Sequence, residues 1–384
     1  MITVLYVETG SGFGGSTQSL FQLLTAVDRR LIRPVVVVSQ EGATTAQIRQ
    51  LGVSVYVVPG FQRRILGYLH AVKRIIAHEL PRMLRLIWLI RHEQVSVVHV
   101  NNDLYSGLAG LLAARLCRRP VVCHLRLTRP PTRLEQWVGR WPMVKIVLTH
   151  EAKAFYQPWW PQGRIEWVPN GVAIPEALPD PERARARLGL AATHRVVGLV
   201  ARCVPGKGYE EFLRAAALIR QALSEVTFLI VGNGAGGDAG YETSVRQLAG
   251  RLGLNGEVVW AGWQPDAQAI YGAVDVIVQA SSTFPEGLSR VVLEAMAAGL
   301  PVVATDIVGN REAVLNRHTG LLVPPGNASA LAEAILTLLR HPTIARLYGE
   351  QGRARAAESF SLAAHARRLS ELYDELVSSW SFSI

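Results

Sequence analysis

The apolar positions of this chain fall into short, β-branched runs separated by longer stretches of helix-forming sequence. Runs at 2–7, 35–38, 53–58, 95–100, 121–124 and 146–149 are dominated by Val and Ile. Strands that are apolar on both faces and alternate with helices belong to parallel sheets covered on each side. The alternation pauses over 168–190, VPNGVAIPEALPDPERARARLGL, a polar and proline-rich passage, and resumes at 196–201, 226–231, 257–260, 274–279 and 301–304. This places a linker near 170–185 and predicts two successive doubly wound α/β units, 1–175 and 186–360. Two facing Rossmann-like domains are the expectation, with ligands taken at the carboxyl ends of the strands and hence in an interdomain cleft. The tail, 361–384, reads as helical, and Trp380 and Phe382 near its end suit packing back on the first domain.

A chain of 384 residues exceeds what one core serves and fits this two-domain reading. It opens directly as a strand, without the basic and apolar segments of a signal peptide, and no apolar run reaches membrane-spanning length. Cys117, Cys123 and Cys203 form no CxxC pair, and no His/Cys cluster has zinc spacing, so a reducing cytoplasm is expected. Charge changes the picture more. Residues 1–180 hold 21 Lys+Arg against 11 Asp+Glu, whereas 181–384 hold 19 of each, so the whole net charge of +10 lies in the first half. There Arg63, Arg64, Lys73, Arg74, Arg82, Arg85 and Arg91 interleave with Ile, Leu and Trp88, a pattern that fits an anionic membrane surface. A solvated pair of helices fits it equally. No nucleic-acid-binding module is recognisable.

Three loops carry candidate chemistry. Gly10-Ser-Gly-Phe-Gly-Gly-Ser16 follows the first strand and precedes a helix, where glycines let backbone approach a phosphate or sugar closely. Gly10, Gly12 and Gly15 satisfy GxGxxG, but Glu41, 26 positions past Gly15, lies too far along for the ribose carboxylate of a dinucleotide site. The second half opens with Arg202-Cys-Val-Pro-Gly-Lys207-Gly208 between a strand and a helix. Arg202 and Lys207 could clamp a diphosphate, the guanidinium forking onto two oxygens and the ammonium acting as a point charge. Two exposed surface cations remain an open alternative, and the order is not that of a Walker loop. Cys203 has no base beside it and reads as a bystander. Finally, 284–304, FPEGLSRVVLEAMAAGLPVVA, places Glu286 and Glu294 eight positions apart, one before and one inside an expected helix. The amides of Gly287, Leu288 and Ser289 would face an anion at that helix start, with one carboxylate for sugar hydroxyls and one for a ribose. A capped amphipathic helix with two solvated glutamates is equally compatible with the segment alone.

Taken in order, the glycine loop, VVHVNN at 97–102, VVCHLR at 121–126, VPNGV at 168–172, RCVPGKG at 202–208, FLIVGNG at 228–234, WAGW at 260–263, the Glu286/Glu294 segment and TGLLVPPGN at 319–327 resemble the retaining glycosyltransferases of the GT-B fold, family four, also called group 1 glycosyl transferases. The resemblance covers nearly the whole chain. It implies that Arg202 and Lys207 neutralise the donor diphosphate, that Glu294 meets the ribose and that Glu286 faces the transferred sugar. Gly287 and Leu288 would offer amides to sugar or phosphate, and Gly14 and Gly15 would form the loop near phosphate and acceptor. His124 matches the histidine near the reaction centre; a strand-end histidine bonded to backbone stays open as the alternative. Asn233, Gly234 and Trp263 would lie near the nucleotide and its base, and Asn170 and Gly171 at the hinge entrance. Two departures stand out: Asn101 replaces a second histidine found two residues after the position of His99 in many members, and Leu288-Ser289 replaces Phe-Gly after Glu286-Gly287.

The implied activity is transfer of a sugar from a UDP- or GDP-linked donor to an acceptor hydroxyl with retention, without metal or cofactor. The acceptor would be a lipid-linked or other glycan acceptor in cell-envelope lipid or polysaccharide synthesis, met in the cytoplasm or at the inner membrane face. A nucleotide-sugar 2-epimerase, and a non-catalytic nucleotide-sugar sensor or membrane scaffold, are the rival readings.

Overall fold

The computed structural model describes residues 1–10, 15–59, 78–234, 239–264, 267–284 and 286–381. The chain divides into two compact units, Met1–Gly171 together with Leu362–Ile384, and Val172–Ser361. The first holds β1 (Ile2–Glu8), β2 (Ile32–Val38), β3 (Ser54–Val57), β4 (Val97–Val100), β5 (Val121–Leu125), β6 (Val144–Val147) and β7 (Arg164–Trp167) in one parallel sheet of order β3-β2-β1-β4-β5-β6-β7. Successive residues of a strand point to opposite faces. Thus Leu5 and Val7 join one core cluster and Val4 and Tyr6 the other, which is why β1 reads as an unbroken apolar run.

The second core cluster is completed by the last helix, Leu362–Ser381, whose Ala366, Leu369, Leu372, Tyr373 and Leu376 recur at helical spacing and pack with Leu20, Leu23 and Leu24 of the helix Gly15–Ala26. Trp380 of this helix donates its indole N–H to the carbonyl of Arg118 at 3.0 Å. Phe382 lies outside the described residues.

The second unit repeats the plan with β8 (Arg195–Val200), β9 (Val226–Val231), β10 (Val258–Gly262), β11 (Val276–Gln279), β12 (Val302–Thr305) and β13 (Leu321–Val323), in the order β10-β9-β8-β11-β12-β13. The stretch read as linker is in part a helix of this unit, Pro181–Arg187. Asp180 caps it by accepting from the Arg183 amide at 3.1 Å, and Arg185 pairs with Asp275 at 2.9 Å. The edge strands β7 and β13 were not anticipated: one alternates charge with apolar residues and the other is three residues long, so neither shows a sustained apolar run.

Each sheet reverses its winding once, between β1 and β4 in the first unit and between β8 and β11 in the second. Loops leaving the carboxyl ends of those strand pairs diverge and open a crevice for ligand. Among the described residues, no helix is long and apolar enough to cross a membrane. Arg63, Arg64, Lys73 and Arg74 lie outside the described residues. Arg82, counted with them as a surface cation, is instead buried at 4 % exposure in the helix Leu80–His92, while Leu84 and Trp88 of that helix are exposed. Arg85 stacks over Trp88 at 5.0 Å.

Candidate functional site

In the second unit, the loop after β8 and the loop after β11 meet at the point where the winding reverses. Lys207, from the first loop, donates to the Glu286 carboxylate from the second, and both side chains are 14 % exposed. The same Oε1 accepts from Ser281 Oγ at 2.9 Å and from Gln279 Nε2 at 3.2 Å. Lys207 Nζ also sits 3.9 Å from the centre of the Phe284 ring, with the Arg202 guanidinium 5.9 Å from that ring. Two cations are therefore gathered around one aromatic ring, one of them paired with a carboxylate in a partly dehydrated setting where charge interactions strengthen.

The support beneath this group is polar and buried. Asn310 donates from Nδ2 to Gln279 Oε1 at 2.6 Å, and Thr305 Oγ1 donates to the Ser281 carbonyl at 2.6 Å. Gln279, Ser281, Thr305 and Asn310 are all buried and bonded to one another, with Asn310 Oδ1 left without a partner among the described residues. The loop's path needs glycine at Gly208, where φ is +80° and an added Cβ would lie 1.9 Å from the Ala280 carbonyl oxygen.

Glu294 has its own partners one helix further on. Arg290 pairs with it along the helix Arg290–Ala297, and Tyr271, 4 % exposed, donates to its Oε2 at 2.8 Å. Burial, reinforced by the Glu294 charge, pushes the Tyr271 hydroxyl well above the usual phenol range, so it remains a donor. The helix starts at Arg290, three residues later than the sequence suggests, so Gly287, Leu288 and Ser289 are loop and N-cap rather than first turn. Leu288 is 5 % exposed and anchors this loop, and the Gly287 carbonyl lies against Gly309, where a Cβ would come within 1.6 Å. Tertiary packing, not helix propensity, sets the start.

Beside β8, the Cys203 amide donates to the Asn233 carbonyl at 3.0 Å, and the Gly234 amide donates to Glu242 Oε2 at 2.8 Å. That amide and Arg246 hold the Glu242 carboxyl below its ordinary range. Trp263, just past β10, is 58 % exposed, a free aromatic face. Cys203 is buried and its thiol is pushed up to about 11, chiefly by burial, which agrees with its reading as a bystander.

In the first unit, Gly15 opens the helix Gly15–Ala26, and Gly14 lies outside the described residues. Glu8, at the end of β1 and 1 % exposed, accepts from the Gly10 amide at 2.7 Å and from Asn101 Nδ2. Arg126 donates to Asn101 Oδ1 at 2.6 Å and to Asn170 Oδ1 at 3.0 Å. Asn101 thus ties the glycine loop's base to the chain near residue 170. On β5, His124 is 1 % exposed; its Nδ1 lies 2.8 Å from His99 Nε2, and His99 Nδ1 lies 2.5 Å from the Tyr373 hydroxyl. His124 Nε2 is buried without a hydrogen-bond partner among the described residues.

The family model for group 1 glycosyl transferases matches residues 180–355, and that for the glycosyl transferase 4-like domain matches 14–171, so between them they span most of the chain. The chain belongs to the group 1 glycosyl transferases. It is 29 % identical over 324 residues to a GDP-mannose-dependent α-(1-6)-phosphatidylinositol monomannoside mannosyltransferase of Mycolicibacterium smegmatis, covering 78 % of this chain and 83 % of that protein. It is 33 % identical over 200 residues to a D-inositol 3-phosphate glycosyltransferase of Corynebacterium glutamicum, covering 51 % of this chain and 47 % of that one. In fold it is similar to HepE of Anabaena, solved with UDP and glucose, with a TM-score of 0.81, 24 % identity and coverage of 98 % of this chain and 100 % of that one. A sucrose-phosphate synthase from Thermosynechococcus elongatus is also similar, with a TM-score of 0.80, 21 % identity and 99 % and 100 % coverage. The two parallel sheets and these neighbours establish the GT-B fold.

This group 1 glycosyl transferase acts on a nucleotide-sugar donor. Within its second unit, Lys207 and Glu286 meet directly and Lys207 shares the Phe284 ring with Arg202, while Glu294 is separately held by Arg290 and Tyr271. Reading the sequence missed Phe284, Gln279, Ser281, Tyr271 and Arg290 as members of the site, and Tyr373 and His99 behind His124. The one available signal was local: Arg290 stands four residues before Glu294, a spacing that brings two helix side chains together.

Proposed function

We propose that the enzyme transfers a sugar with retention, and without metal, from a UDP- or GDP-linked donor to an acceptor hydroxyl in cell-envelope lipid or polysaccharide synthesis. The observation that carries this reading is the Lys207–Glu286 pair at the point where the second sheet reverses its winding. Breaking the bond between anomeric carbon and phosphate oxygen sends negative charge onto the diphosphate. Lys207 and Arg202 are the cations suited to it, and one such preorganised donor lowers the barrier by about 2.7–4 kcal/mol. Glu286 is bonded to Lys207, Ser281 and Gln279, which suits a carboxylate that orients the lysine and the sugar rather than one left open to attack carbon. The acceptor then enters on the face the phosphate leaves, and a phosphate oxygen takes its proton. Glu294 and Tyr271 serve the ribose, Trp263 the base, Asn233, Gly234, Gly287 and Leu288 the nucleotide and sugar, and Gly14, Gly15 and His124 the phosphate and reaction centre.

The first unit takes the acceptor. Its half of the sequence carries the whole net charge of +10, and the two relatives named above act on a phosphatidylinositol mannoside and an inositol phosphate, both anionic. An anionic, lipid-linked acceptor at the cytoplasmic membrane face fits that charge. The test is turnover of a panel of UDP-, GDP- and ADP-sugars, with and without EDTA, with the anomeric configuration of the product read by NMR. Retention that survives EDTA is expected. An inverted product, or activity lost with EDTA and restored by a divalent ion, refutes the mechanism, and consumption of donor to an epimer without acceptor refutes transfer itself. Binding to anionic vesicles should fall when Arg63, Arg64, Lys73 and Arg74 are changed to Glu; unchanged binding removes the membrane reading.

A further inference from the structure

The first unit contains a buried file of three polar groups, of which the transfer chemistry above uses only the last, His124. Tyr373 comes from the last helix, His99 from β4 and His124 from β5, and all three are at most 1 % exposed. The hydroxyl is 2.5 Å from His99 Nδ1, and His99 Nε2 is 2.8 Å from His124 Nδ1. The two imidazoles lie 24° from parallel, their centres 4.8 Å apart.

We infer that Tyr373 is a positioning residue of this transferase: through His99 it fixes His124 in the tautomer whose proton sits on Nε2, so that His124 presents a neutral N–H donor to an oxygen of the bound sugar. The inference rests on the proposed reading that His124 meets the substrate. A neutral imidazole owns one N–H and one lone pair, so two neutral rings joined nitrogen to nitrogen must agree on direction. A phenol O–H is a strong donor and a weak acceptor, whereas an unprotonated imidazole nitrogen accepts strongly. Tyr373 therefore donates to His99 Nδ1, 2.5 Å away, in preference to the neighbouring Tyr6 hydroxyl, a weaker acceptor; the His99 proton then lies on Nε2 and points at His124 Nδ1, and the His124 proton is left on Nε2.

The surroundings keep both rings neutral. The groups facing them are Arg126, His365 and the hydroxyls of Tyr6 and Tyr373, and burial together with the positive neighbours pulls His99 down to about 3 and His124 well below its ordinary value. His124 Nε2, the far end of the file, has no partner among the described residues, which leaves that atom available to an oxygen of the bound sugar. A donor at that atom has no lone pair to offer, so His124 cannot serve as a general base there.

The experiment uses the whole 384-residue chain labelled with 15N in histidine. Long-range 1H–15N correlation on the wild type should show His124 protonated at Nε2 and bare at Nδ1, assigned by loss of the signals in His124→Gln. Tyr373→Phe should give a mixture of tautomers and lower kcat/KM about tenfold, with UDP affinity unchanged. A wild-type His124 protonated at Nδ1 overturns the inference without any variant having to fold, as does an unchanged tautomer in Tyr373→Phe. If instead His124→Gln keeps full activity while the tautomer is as stated, the fixed proton stands and it is the substrate contact that falls.

Discussion

Replacing Lys207 by Ala separates the two duties that the site gives this residue. In the resting enzyme its ammonium is a hydrogen-bond donor to a Glu286 carboxylate that is largely shielded from water. A hydrogen bond to a charged group contributes about 1.5–3 kcal/mol. Glu286 keeps Ser281 and Gln279 as neutral donors, so the cost should stay near that range rather than reach the larger penalty of a stranded, fully buried charge. In a unit of this size, each kcal/mol moves the melting temperature by about 2–4 °C, giving a fall of roughly 3–12 °C. During turnover the same ammonium meets the leaving phosphate, and its loss should lower kcat by about 10²–10³-fold. The decisive assay adds the double variant Lys207→Ala/Glu286→Gln. Removing the unpaired carboxylate charge should recover about 1–2 kcal/mol of the lost stability, measured by urea denaturation, while activity stays low. A double variant no more stable than the single one would refute the energetic coupling of the pair. A Lys207→Ala enzyme that keeps more than a tenth of wild-type kcat would refute its role at the leaving group.

Further expectations follow from the same geometry. Glu294→Gln should weaken UDP binding by about fivefold to tenfold in calorimetry, and Tyr271→Phe by less, because the carboxylate keeps Arg290; equal effects would show that the tyrosine, not the charge, organises this end. Gly208→Ala combines a φ of +80° with a Cβ 1.9 Å from the Ala280 oxygen, so it should cost roughly 3 kcal/mol or more and reduce soluble expression. The buried His99 makes stability depend on pH. Its folded pKa of about 3 lies below the unfolded value, so unfolding takes up a proton between about 6.5 and 3. Its contribution is complete above pH 6.5 and is lost as pH falls, with a slope of about 1.4 kcal/mol per pH unit from this one group. Denaturation at pH 7, 6 and 5 checks the sign, and stability that rises on acidification contradicts it.

The pattern along the chain determined the two parallel sheets, because strands buried on both faces must be apolar at every position, and it located their loops, because glycines and cations next to a strand end are what anion binding requires. Arg202, Lys207, Glu286 and Glu294 stand out as candidates for that reason: each lies in a loop or first turns where its chemistry is visible without its neighbours. What Glu286 touches was not legible. Lys207 lies 79 residues away, and the two meet only because β8 and β11 are adjacent across the reversal of the sheet, an order set by how crossover helices pack and not by any local period. The start of the helix at Arg290 was misplaced on the same account, since the burial of Leu288 and the close approach of Gly309 fix it from outside the segment. Tyr373 is the extreme case, 274 residues from the histidine it touches. Its helix carries an ordinary amphipathic stripe, and only the return of that helix to the first sheet places one hydroxyl of the stripe against β4.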